Sequence, residues 1–225
     1  MNADNRTRMR AALKTAVGKA LLPDAGLNHP GRFEPPPAPG YDLFERFRTE
    51  LTKLGGTVHD AASAGDVADI VLGRLANVIA PKVMMWDEAH LPVSGLADAL
   101  RAHGVQVLMQ SADRARDDAH RAELASATVG ITGADAGLAQ TGSIAVASGP
   151  GRGRLASLLA PIHVALLRRS LMFESLPVFI DRHPGVVTAG ANFVCITGPS
   201  RTADIEHVLA RGVHGPKEIH VVLLD

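Results

Sequence analysis

Residues Lys82–Gln110, KVMMWDEAHLPVSGLADALRAHGVQVLMQ, carry the reading that decides the fold. Val83-Met84-Met85-Trp86 is a short, unbroken apolar run, which suits a strand covered on both faces. Ser94 to His103 reads as a helix, and Gly104 stops it. Val105 to Gln110 is strand-like again. A buried strand, a helix and a second strand within thirty residues point to an α/β protein with a largely parallel sheet.

The same alternation extends in both directions. Upstream, Asp42 to Leu54 is a helix candidate built on Leu43, Phe44, Phe47, Leu51 and Leu54, closed by Gly55-Gly56. Thr57 to His59 reads as a short strand and Val67 to Val78 as a helix ended by Pro81. Downstream, Arg114 to Ala125 reads as helix and Thr128 to Ile131 as strand. Ser143 to Ala147 and His163 to Leu167 are strands whose close spacing leaves little room for a crossover helix, so an antiparallel or irregular section is expected there. Leu171 to Ile180 reads as a helix that Pro177 bends or ends. The last strands are Phe193 to Ile196 and Ile219 to Leu224, with Ala203 to Arg211 as a helix between them.

The N-terminal part differs. Asn5 to Leu22 has an amphipathic helical pattern through Met9, Leu13, Ala16, Val17 and Ala20, and Pro23 stops it. Asp24 to Gly40 then contains Pro30, Pro35, Pro36, Pro37 and Pro39, which remove backbone donors and favour an extended linker or strap. The expected organisation is residues 1–40 as an extension and 41–225 as the α/β domain.

Composition narrows function. The 23 basic and 23 acidic side chains cancel, which removes the electrostatic basis for bulk nucleic-acid binding. The single cysteine, Cys195, lies in an apolar run and reads as packing; alone it supplies neither an iron–sulfur cluster nor a thiolate zinc site. Ten histidines are scattered without metal-ligand spacing, and no dinucleotide fingerprint occurs, so no metal and no cofactor is expected. Asp87-Glu88-Ala89-His90 spells a helicase box, but no phosphate loop accompanies it. Without an apolar leader or a run of about 20 apolar residues, a cytoplasmic protein with no membrane span is expected.

The chemistry gathers in glycine-bearing loops after the later strands. These are Thr132-Gly133-Ala134-Asp135, Gln140-Thr141-Gly142-Ser143, Ser148 to Arg154 (SGPGRGR), and Thr197 to Thr202. Ligands of open α/β sheets collect where strands end and helices begin, and glycine lets backbone N–H groups approach them. Arg152 and Arg154 suit bidentate contact with a carboxylate or phosphate, or simply face solvent on a tight turn. In ITGPSRTADIE, residues 196–206, Ser200 or Thr202 could cap a helix whose positive end Asp204 and Glu206 complement. Arg201 at that same end is better explained by a bound anion or an acidic neighbour. His163 reads as a hydrogen-bonded core residue, and His214, in the loop Gly212-Val213-His214-Gly215-Pro216, as a functional candidate. The expected ligand-binding set is Thr132, Gly133, Asp135, Gly151, Arg152, Arg154, Ser200, Arg201, His214 and Lys217, converging on one electropositive hollow.

Taken in order, these motifs are familiar. Gly130-Ile131-Thr132-Gly133-Ala134-Asp135, Ala139-Gln140-Thr141-Gly142-Ser143, Ser148-Gly149-Pro150-Gly151, Arg154 to Leu158, Pro161-Ile162-His163, ITGPSRTADIE and Gly212 to Glu218 resemble the LUD-domain family, in its lactate-utilization protein C branch. The resemblance is strong from about Thr128 to Asp225 and looser from Asp42. It implies a three-layer α/β/α fold like that of sugar-phosphate isomerases and CoA transferases. It also implies a part in bacterial oxidation of L-lactate to pyruvate, with iron–sulfur proteins as partners and a small anion as a possible ligand. Where the family commonly carries Glu before the Thr-Gly pair this chain has Gln140, and an amide cannot form the acyl intermediate of CoA transfer.

Three functions follow as expectations. The first is a non-redox subunit of lactate oxidation. The second is a stand-alone enzyme on a phosphorylated, CoA-like or folate-like substrate, with Asp135 or Glu206 as base and His214 as acid/base. The third is a pure interaction module.

Overall fold

The computed structural model describes residues 8–12, 15, 42–111, 113–114, 117–203, 209–211 and 215–225. The chain groups into two compact units, Met1–Pro36 and Pro37–Asp225. In the first, residues 8–12 are helical (α1).

The second unit begins with α2 (Leu43–Lys53). The Asp42 carboxylate caps it by accepting the Phe44 N–H at 2.8 Å, while Phe47 and Leu51 point into the core. Its end follows from the glycine pair: Gly55 N–H donates to Thr52 O and Gly56 N–H to Leu51 O, satisfying carbonyls the helix leaves open. In α3 (Ala64–Leu75), the Ser63 hydroxyl and the Asp66 carboxylate each accept the other's backbone N–H, a reciprocal cap that starts the helix before the expected Val67. The helices α4 (Leu96–Ala102) and α5 (Asp118–Ala125) complete this half. Asp117 caps α5, so that helix begins later than the expected Arg114.

The main sheet holds six parallel strands: β1 (Thr57–Asp60), β2 (Lys82–Met85), β3 (Gln106–Met109), β4 (Val129–Gly133), β7 (Ile162–Arg168) and β12 (Glu218–Leu224). Their order is β1-β12-β7-β4-β2-β3. All of β4 is buried, as is β12 beyond its first residue. Burial on both faces is why these strands read as unbroken apolar runs instead of alternating ones. With its flanking helices the sheet forms the three-layer α/β/α arrangement.

A second, four-stranded sheet has the order β8-β5-β6-β9, with β5 (Ala136–Leu138), β6 (Ser143–Ser148), β8 (Met172–Phe173) and β9 (Asn192–Ile196). Within it β6 runs antiparallel to both β5 and β9. Between β6 and β7, which lie in different sheets, the chain is irregular, as their close spacing called for. Short 3-10 turns occupy Glu88–His90, Arg154–Ser157 and Arg169–Leu171. The expected helix Leu171–Ile180 is instead β8 followed by α6 (Leu176–Arg182) and, after a turn, α7 (Val186–Ala189). Pro177 lies in the first turn of α6, where its missing N–H costs nothing.

The expected helix Ala203–Arg211 is strand at its two described ends. Residues Arg201–Ala203 (β10) and Leu209–Arg211 (β11) pair as antiparallel strands, with Arg201 opposite Arg211 and Ala203 opposite Leu209. Cross-strand pairing there overrides a weak local preference for helix. The anion-attracting helix start is therefore not at Ser200; residues 204–208, with Glu206, lie outside the described residues. No helix among the described residues is long and apolar enough to cross a membrane.

Candidate functional site

At the carboxyl ends of β2, β4 and β7 the chain opens a cavity of about 540 Å³. Trp86, Gly133 and Arg168 reach it directly from those strands. Leu166, Leu171 and Phe179 supply further apolar wall, and Asp135, Arg152, His90 and His183 supply polar groups. A second hollow of about 390 Å³, formed with Ser148, Gly149 and Pro150, shares His90, Asp135 and Arg152 with it.

Asp135 and Arg152 form the fixed part of the site. Arg152 Nη2 donates to both carboxylate oxygens, at 2.6 and 2.5 Å, and Asp135 Oδ2 also accepts the Ala147 N–H at 2.7 Å. The guanidinium lies over the Trp86 ring, 4.7 Å from its centroid, and the Trp86 indole N–H donates to Gly153 O at 2.9 Å. The Arg152 cation is thus stacked and neutralised, while its buried Nε has no partner among the described residues. Two glycines permit this packing. A Cβ on Gly133 would stand 2.7 Å from His90 O, and one on Gly151, at φ +69°, would stand 2.9 Å from the His90 ring.

Arg168 behaves differently from its neighbours. It is exposed at the cavity mouth, with no ion pair or hydrogen bond to its side chain among the described residues. The next residue, Arg169, turns away to pair with Asp60 and Asp225 and to lie over the Phe44 ring. His183 packs edge-on against Phe173 at 5.5 Å, and its Nδ1 is 3.3 Å from Phe179 O.

The expected site residues divide. Gly133, Asp135, Gly151 and Arg152 gather at this cavity or its wall. Thr132 lies one residue back inside the sheet, its hydroxyl 2.9 Å from His163 Nε2. His163 is fully buried, and burial, with a smaller contribution from His220, pushes its pKa down to about 4, so it is the neutral core histidine that the sequence suggests. Arg154 is exposed at the start of its 3-10 turn, away from the cavity. Ser200, Arg201 and Lys217 stand at the opposite, amino-terminal edge of the sheet. There the Ser200 N–H donates to Pro216 O at 2.8 Å, Lys217 N–H donates to Pro161 O at 2.7 Å, and the Arg201 guanidinium donates to Leu54 O. The expected convergence of all the glycine turns on one hollow is thus not what the fold builds, because parallel strands put the loops before them and after them at opposite ends. His214 and Glu206 lie outside the described residues.

Two other readings change. Cys195 is exposed on β9 instead of packed inside, and partial desolvation by its neighbours pushes the thiol pKa up. Gln140 sits exposed in the β5–β6 turn, its N–H donating to Glu174 O at 2.8 Å, and does not line the cavity. Trp86, His90, Arg168 and His183 line the cavity without belonging to the expected site set. Trp86 and Arg168 carried a signal, since each closes an apolar run at the carboxyl end of a central strand, where ligands collect.

Comparison with known proteins agrees with this architecture. The LUD domain model matches residues 44–224. Lactate utilization protein C of Anoxybacillus flavithermus is 30% identical over 189 residues, covering 82% of this chain and 81% of that one. The protein of the same name from Geobacillus sp. is 33% identical over 154 residues, covering 64% of this chain but 62% of the relative, a little under two thirds of its length. The crystal structure of a DUF162 family protein from Deinococcus radiodurans superposes with a TM-score of 0.57, covering 81% of this chain and 96% of that one; at 20% identity the likeness is one of fold. The match across nearly the whole α/β unit settles membership: the chain belongs to the LUD domain family.

Proposed function

We propose that this protein is a subunit or accessory protein of L-lactate utilization that binds a small organic anion and has no redox centre of its own. Electrons from L-lactate would pass through iron–sulfur partner proteins. The relatives named lactate utilization protein C support the process. The observation that carries the binding role is Arg168, an uncompensated guanidinium at the mouth of a cavity at the carboxyl ends of three parallel strands. Asp135 is better suited to holding Arg152 than to taking a proton, since both of its oxygens are engaged.

Deleting the gene and growing the organism on L-lactate as sole carbon source tests the role. Growth should fail and should return with the intact gene, but not with Arg168→Gln. Normal growth of the deletion strain would remove the reading.

A further inference from the structure

The cavity's charge and size specify its ligand more closely than its family does, and this step rests on the cavity being the functional site. Arg152 enters the wall already neutralised. Its partner Asp135 is itself anchored by the Ala147 N–H, so an incoming anion would have to break two interactions to claim that guanidinium. Arg168 is the permanent charge left over among the described lining residues. One uncompensated cation matches a single negative charge and leaves a phosphate dianion half unpaired.

The walls say what the rest of the ligand must be. Pro92, Leu171, Pro184 and Val186 present apolar surface over a buried layer of Trp86, Leu166 and Phe179, more than the two arginines need, and His90 and His183 add hydrogen-bonding groups. A volume of about 540 Å³ falls in the range of roughly 300–1,000 Å³ that encloses drug-sized organic ligands. A three-carbon acid would leave most of that space to water and most of that apolar wall uncovered.

We infer that the cavity binds a monoanionic organic acid with a sizeable apolar body, its carboxylate on Arg168 and its body against Leu171 and Val186, in preference to inorganic phosphate or lactate itself. Titration calorimetry on the full chain at low salt tests this with four probes: 3-phenyllactate, L-lactate, the neutral amide of 3-phenyllactate, and inorganic phosphate. The phenyl acid should bind at least tenfold more tightly than any of the other three. Arg168→Gln should lose at least tenfold of that affinity without lowering the thermal midpoint, whereas Arg101→Gln, a surface change outside the cavity, should lose none. Phosphate or L-lactate binding as well as the phenyl acid, the amide matching the acid, or no binding by any probe would overturn the inference. Lactate growth that still requires the gene alongside such a result would sink the ligand class alone and leave the cellular role standing.

Discussion

Asp135→Asn isolates the charge that silences Arg152. The amide is nearly the same shape, and its oxygen can still accept the Ala147 N–H, so the local strand geometry should hold. What disappears is the negative charge on two oxygens lying 2.6 and 2.5 Å from Arg152 Nη2. The arginine and aspartate side chains keep 25% and 21% of their exposure, which places the pair between two regimes. Exposed pairs contribute about 0–1 kcal/mol. Breaking a buried pair costs about 3–5 kcal/mol. An intermediate loss of about 2 kcal/mol is expected, or a fall of roughly 4–8 °C in the unfolding midpoint for a chain of this size. Arg152→Gln should cost a similar amount, and the double variant should fall short of the sum by about 1–2 kcal/mol. Urea unfolding of the four proteins measures that coupling. The same change leaves two uncompensated guanidinium groups at the cavity, so phosphate affinity should rise at low salt. If the single losses add to within about 0.5 kcal/mol, or phosphate binds no better, Arg152 is not held silent by Asp135.

Other predictions follow from the packing. A Cβ on Gly130 would collide with the backbone carbonyl of Ala156, so Gly130→Ala should cost about 3 kcal/mol or prevent folding, whereas Gly149→Ala, with open space around it, should be near neutral; paired thermal melts check this. His163 stays neutral when folded because its pKa is pushed down to about 4, below the usual histidine value of about 6.5. Below about pH 6.5 the unfolded chain therefore binds a proton that the folded chain refuses, and stability falls by up to about 1.4 kcal/mol per pH unit toward pH 4. His59 and His220, 3.0 Å apart and also shifted down by burial, act in the same direction. His163→Gln should flatten the acid limb of urea midpoints measured from pH 7.5 to 5; parallel limbs would contradict this. Arg201→Ala should leave anion binding at the cavity intact while lowering stability by about 1 kcal/mol through its lost bond to Leu54 O, separable by calorimetry and melting.

The parts of the fold that were legible in the sequence are those where one physical demand dominates. Val83 to Trp86 and Ile219 to Leu224 could be read as strands because burial requires unbroken apolar runs. Asp42 and Gly55-Gly56 marked both ends of α2 because open helix termini require specific partners. The β10–β11 pair was not legible, since the sequence around Leu209 fits helical spacing and only the pairing of Arg201–Ala203 with Leu209–Arg211 shows strand there. Cys195 is exposed because β9 is an edge strand of the second sheet, and no residue of that strand is fully buried. The division of Arg152 from Arg201 was invisible for a deeper reason: motif chemistry shows which loops suit an anion, but strand order decides which loops share an end.

The place of β12 has a consequence for how the chain comes to be assembled. Glu218–Leu224 follows every other described strand in the chain, yet it lies between β1 and β7, one strand in from the edge of the sheet. Until it pairs, β1 has no neighbour in the sheet and β7 shows a row of unpaired backbone N–H and C=O groups of the kind that captures other chains. This sheet therefore closes only once residues 218–224 are in place, and a chain halted before Glu218 is the form most in need of a chaperone.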